Sequence, residues 1–254
     1  MTTIDLNSDM GESFGAYTMG DDMAMLRTVT TANVACGFHG GDPEVMASTM
    51  AAAKKNGVAI GAHPGFPDLW GFGRRRLPYT PAECVNFLAY QIGAAAGMAA
   101  LVGHKLTHVK AHGAIANIAF EEIDIARAIA SATKSVDPNL ALIVIGGTPL
   151  EKAGIEAGLR VVYEIYADRA YDDKGVLVSR KIPGSVLHDV DVVTRRVVEM
   201  VSDGAVVSMS GKRIPMKIET ICVHSDTPGA VEIGRSVRAG LERAGLQLKP
   251  FIAA

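Results

Sequence analysis

The chain has 254 residues, 48% of them apolar, and its 25 basic and 27 acidic side chains leave a formal charge of −2 and a pI near 6.4. That size fits a single domain, residues 1–254, with a large core, and the near-neutral balance gives no electrostatic reason to expect nucleic acid. Cys36, Cys84 and Cys222 are odd in number and lack a CxxC spacing, no run of 18 apolar residues suggests a membrane span, and Asp5 and Asp9 stand where a leader would be apolar, so a cytoplasmic protein without disulfides is expected.

In chain order, short strand-like runs alternate with helical patterns, and each run exits onto polar residues with Gly or Pro close behind. The first, Ile4 to Asp9, puts Asp5, Asn7 and Asp9 on one face if it is extended, and such a face does not build an apolar core. Six more units follow: Thr31 to Gly37, Gly57 to Ala62, Leu106 to His112, Leu140 to Ile145, Arg160 to Ala167 and Glu219 to Val223. His108, Lys110 and His112 again share one face of a strand.

Helix starts fix the direction of reading. Asp42-Pro43-Glu44 caps a helix running to Asn56-Gly57, Thr80 to Glu83 and Thr148 to Glu151 have capping-box form, and Asp189 and Thr227-Pro228 mark two more starts. Ile123, Ile125, Ala126 and Ile129 suit one face of a helix from Glu121 to Lys134, and Ala89 to Leu101 reads as a tightly packed outer helix. Repeated strand, polar loop and helix predict an α/β barrel, with chemistry at the carboxyl ends of its strands.

The candidate site residues collect at those ends. Five of the seven histidines, His39, His63, His108, His112 and His224, fall at or beside them. Lys110 is costly to bury without a carboxylate or an anionic ligand. Asp9 and Glu12 lie towards the mouth, whereas Asp5 is expected to support the barrel base. The D-x-N-x-D spacing of Asp5, Asn7 and Asp9 resembles a calcium loop, but glycine comes one residue late and Ala16 stands where a glutamate is needed. Gly65 to Arg76 reads as a lid, with Arg74 or Arg75 able to clamp an anion, and Asp168-Arg169 through Arg180 and Ser185 as a second flap. Cys36 near His39 is a minor nucleophile candidate. Gly211-Lys212 does not complete a Walker A loop.

Four segments, Asp5 to Glu12, Asn33 to Asp42, Gly61 to Asp68 with Phe72 to Arg75, and Ala167 to Tyr171, closely resemble the LamB/YcsF family in order and over nearly the whole chain. The resemblance implies a seven-stranded irregular β/α (TIM-like) barrel of the glycoside hydrolase/deacetylase type. It implies opening of the 5-oxoproline lactam to glutamate in a complex with two partner subunits, ATP being consumed by the complex and bound by those partners. Catalytic roles are then expected for Asp9, His39, His63, Lys110, His112, Asp168 and Arg169, with Asp9 or His112 as general base. Substrate contacts are expected from Asn7, Glu12, Asp42, Arg74, Arg75, His224 and Asp226. A divalent metal on Asp9, His63 and His112 is a second version, as in related deacetylase-type barrels. A metal-dependent amidase or deacetylase acting on another amide, and a non-catalytic subunit that delivers substrate, are the alternative functions. Ala111, Ala116 and Ser225 replace the proline, tyrosine and glycine usual in the family, which leaves the substrate open. Asp9→Asn or Lys110→Met is expected to abolish turnover with the fold intact.

Overall fold

All seven expected strands form in the computed structural model, which describes residues 3–225 and 229–252. In chain order the elements are β1 (Thr3–Met10), α1 (Asp22–Met25), β2 (Thr31–Ala35), α2 (Pro43–Lys55), β3 (Ala59–His63), a 3-10 turn (Leu69–Gly71), α3 (Pro81–Leu101), β4 (Leu106–Val109), α4 (Gly113–Ala119), α5 (Ile123–Val136), β5 (Ala141–Val144), α6 (Pro149–Glu156), β6 (Val161–Tyr166), α7 (Val190–Asp203), β7 (Ala205–Val207), β8 (Arg213–Pro215), β9 (Thr220–Cys222), α8 (Ala230–Arg243) and β10 (Gln247–Leu248). Strands β1 to β6 pair in sequence and in parallel, and β9 pairs with both β6 and β1, which closes a seven-stranded barrel. Two features not read from the sequence lie outside it: the antiparallel β7–β8 pair, and β10, which pairs with the start of β1.

The caps behave as their chemistry dictates. Asp42 accepts from the Glu44 and Val45 amides ahead of α2, Thr80 and Glu83 complete a reciprocal capping box, and Asp189 accepts from Val192 N. Thr148 caps α6, but Glu151 turns instead to Gly147 N and the Tyr163 hydroxyl. The expected start at Thr227-Pro228 lies outside the described residues. By length and composition alone α3 could cross a membrane. As expected from Ala89 to Leu101, it is instead an outer helix of the barrel, with Leu88, Ile92, Ala95 and Ala99 buried.

The apolar core lies between the outer faces of the strands, with Leu6, Val34, Ile60 and Ile165, and the surrounding helices, with Leu88, Ile129 and Val237. Inside the barrel the side chains are largely polar: Asp5, Asn7, Asn33, His108, Lys110, Glu164 and Thr220 are all buried. Such a column is tolerated only if its groups bond to one another. Asn33 donates to Asn7 Oδ1 and Asp9 Oδ1, both at 2.8 Å, and accepts from His108 Nε2 at 2.8 Å. Gly61 makes room for that histidine, because a Cβ there would come within 2.3–2.4 Å of the His108 ring atoms. At the strand starts a separate cluster of Ala141, Ile143 and Val162 packs on Phe251 and Ile252, and Phe251 meets the His108 ring edge-on at 5.1 Å.

Asp5 supports the lower barrel, accepting hydroxyl hydrogens from Thr30, Thr31 and Thr220. Burial pushes its carboxyl up to about 6 against these three bonds. A group raised in the folded state stabilises fully below its unfolded value and loses that contribution as pH rises through the folded one. The gap from 3.8 to about 6 corresponds to roughly 3 kcal/mol. In urea denaturation, wild type should therefore lose roughly 2–3 kcal/mol relative to Asp5→Asn between about pH 4 and about pH 7. A difference constant with pH would contradict this.

Candidate active site

At the barrel's carboxyl end, Lys110 follows the last residue of β4, with its amide still bonded to Ala62 O. Its ammonium sits 3.0 Å from Asp9 Oδ1, 2.9 Å from Glu164 Oε1 and 3.0 Å from Cys222 Sγ, and 5.1 Å over the Tyr166 ring. Burial works against its charge, but Asp9, Cys222 and Glu164 outweigh burial and hold the ammonium well above the ordinary lysine range. Burial likewise opposes ionisation of Asp9, and His63 and Lys110 beside it overcome that and hold its carboxyl well below the usual range. The result is an ionised carboxylate presented at the barrel mouth.

Above it stand three histidines and Glu12. His39 and His112 stack with centroids 3.6 Å apart, and His63 meets both edge-on. His63 Nδ1 lies 2.7 Å from Lys110 O, and His112 Nε2 lies 2.7 Å from Phe72 O. Phe72 takes a left-handed φ of 52°, a conformation uncommon for a bulky residue, and so turns its carbonyl to His112. Glu12 Oε1 is 3.2 Å from His39 Nε2 and 3.4 Å from His112 Nδ1, and Asp9 Oδ2 is 3.4 Å from His63 Nε2. Burial and the neighbouring imidazoles hold both His39 and His112 well below the ordinary histidine range.

A cavity of about 490 Å³ opens over this group. Asp9, Glu12, His63, Lys110, His112 and His224 line it, and Arg74, Arg169, Arg180 and Lys181 make part of its wall basic. The flap expected from Asp168 to Ser185 contributes Val176 to Lys181, and Arg169 reaches it by donating to Val178 O at 2.6 Å. His224 Nδ1 bonds both oxygens of Asp168, at 2.8 and 2.9 Å, and that pairing outweighs burial to lower the Asp168 carboxyl. Ala111, Ala116 and Ser225 all lie on the cavity.

Some expected residues are placed elsewhere. Asp42 is taken up by its helix cap and Gly15 N, and Arg75 pairs with Asp68 on the outside of the lid; neither lines the cavity. Asn7 and His108 lie in the polar column below the mouth, and Asp226 is outside the described residues. Cys36 is no nucleophile candidate here: burial pushes its thiol up to about 12, and it donates to Val34 O. Sequence reasoning missed Glu164 and Tyr166. The signal was present in Glu164, the one charged residue of β6.

Fold and site together define a parallel β/α barrel with a carboxylate, lysine and histidine cluster at its carboxyl mouth. The LamB/YcsF family pattern matches residues 4–254. The 5-oxoprolinase A subunit of Rhodopseudomonas palustris is 58% identical over 98% of both chains, and its namesake from Gluconobacter oxydans is 56% identical over 97% of both. The crystal structure of the "lactam utilization protein" from Thermus thermophilus superposes with a TM-score of 0.94 at 44% identity, covering 98% of this chain and 100% of that one. The chain belongs to the LamB/YcsF family.

The environment of Lys110 revises one expectation. Lys110→Met removes the cation that Asp9 and Glu164 share and leaves two buried carboxylates facing each other across the barrel. The variant should lose about 3–5 kcal/mol of stability, part of which Glu164→Gln restores in the double variant. Urea denaturation checks this, and a loss under about 1 kcal/mol would contradict it.

Proposed function

We propose that this chain is the lactam-opening component of an ATP-dependent 5-oxoprolinase, converting 5-oxo-L-proline to L-glutamate in the cytoplasm together with two partner subunits that handle the nucleotide. The relatives that bear the 5-oxoprolinase name, similar from end to end, support this reading, as does the absence of a Walker A loop from the chain. The observation that carries it is the ionised Asp9 at the floor of a cavity partly walled by arginines.

A lactam amide is stabilised by resonance, and transfer of a phosphoryl group to its oxygen makes the ring carbon electrophilic. Water adds to that carbon and gives up a proton to Asp9 Oδ2, the oxygen not engaged by Lys110 and Asn33. The adduct breaks its carbon–nitrogen bond as the nitrogen takes up a proton, leaving an acyl phosphate. A second water releases glutamate and phosphate. Lys110 and Arg169 offset the charge that develops on oxygen and phosphate, and Arg74 holds the substrate carboxylate. His112 is the other group able to take the proton, and Ala111, Ala116 and Ser225 bound the space that selects the lactam.

In the reconstituted complex, Asp9→Asn should lower ATP-dependent glutamate formation by at least about 10²-fold, with the thermal midpoint little changed. Wild-type turnover in that variant would refute the assignment. Glutamate formation by the chain without ATP or partners would instead favour a stand-alone amidase.

A further inference from the structure

His63 and His112 carry an arrangement that lactam opening does not explain. His63 Nδ1 and His112 Nε2 each lie 2.7 Å from a main-chain carbonyl oxygen. A carbonyl has no hydrogen to give, so each of these nitrogens carries the N–H, and in a neutral imidazole the other nitrogen is a bare lone pair. In that neutral form, the one a metal ligand takes, His63 Nε2 and His112 Nδ1 face each other as lone pairs at 3.1 Å. The carboxylate oxygens nearest them, Glu12 Oε1 and Asp9 Oδ2, are also acceptors, each at 3.4 Å. Two imidazole lone pairs aimed at one point, with carboxylate oxygens beside them, suit a bound cation.

We propose that Glu12 Oε1, His63 Nε2 and His112 Nδ1 hold one divalent transition-metal ion at the barrel mouth. Donors about 2.0–2.1 Å from such an ion lie about 3.3 Å apart at tetrahedral angles. The spacings of 3.1 Å between the two imidazole nitrogens and 3.4 Å between His112 and Glu12 match that edge. Glu12, His39, His63 and His112 each offer one ligand atom within 4.8 Å of the others. The outer contacts fit as well, since metal-binding histidines commonly donate their second N–H to a carbonyl, as both do here.

His39 is a positioning residue: its Nε2 donates to Glu12 and fixes the carboxylate that closes the donor set. Glu12, His63 and His112 all line the cavity, so the remaining coordination position opens to water or substrate. Two imidazoles and one carboxylate select zinc, cobalt, nickel, manganese or ferrous iron over magnesium and calcium. This differs from the set expected from the sequence: Glu12 replaces Asp9, whose Oδ1 is held by Lys110 and Asn33 and whose Oδ2 is the base of the proposed reaction.

The test needs neither lactam, ATP nor partner subunits, so its outcome is separate from that of the oxoprolinase reading. The chelator-stripped full chain is titrated with Zn²⁺ by calorimetry and with Co²⁺ by visible absorption. One ion per chain is expected, with the Co²⁺ bands of a nitrogen- and oxygen-bound site. His112→Ala and Glu12→Gln should each weaken binding at least about tenfold, while His188→Ala, on the loop before α7, should bind as wild type. Should a variant fail to fold, imidazole ¹⁵N spectra of the wild-type chain decide: Zn²⁺ must shift His63 Nε2 and His112 Nδ1. No saturable binding of either ion, binding unchanged in the variants, or unshifted imidazole signals would overturn the proposal.

Discussion

The charge of Lys110 is the constraint on which the rest of the barrel interior depends. One ammonium, buried between Asp9 and Glu164, makes two buried carboxylates tolerable, and these sit on strands on either side of β9. Asn7 and Asn33 extend the network: Asn7 donates to Glu164, Asn33 donates to Asp9, and the two amides meet at Asn7 Oδ1. The pairing therefore ties β1, β2, β4 and β6 together through side chains as well as through the main-chain ladder. It also leaves Asp9 ionised where the column meets the cavity.

A barrel filled this way gives up interior apolar burial and recovers it outside, between strand and helix. That division explains why the inner faces can carry chemistry without weakening the core. At the strand starts the Phe251 and Ile252 cluster is apolar, and it closes the end opposite the cavity. The loops at the mouth then act by position: the Phe72 carbonyl orients His112, and Arg169 binds the flap main chain at Val178.

Much of this was legible in the sequence, because a strand's period of two separates its faces unambiguously. Asp5, Asn7 and Asp9, and His108, Lys110 and His112, read correctly as inward rows. Depth along the row was harder: His108 and His112 share a face, yet one lies against Phe251 and the other under the cavity. Asp42 misled because a helix cap and a ligand-binding carboxylate use the same residue type. Glu164 was missed because it stands alone in its strand, and its partner comes from a strand more than 50 residues earlier. β7, β8 and β10 are too short to show a period, and their pairing is set by the folded chain.

The most direct test of the central claim is a ¹³C NMR titration of the Asp9 carboxyl, assigned by its loss in Asp9→Asn. If His63 and Lys110 hold the group ionised against its burial, its signal stays at the carboxylate position through the range in which ordinary aspartates protonate, and moves in Lys110→Met. Protonation at or above the ordinary aspartate value would show that the buried ammonium does not govern Asp9, and the account of the site would fail.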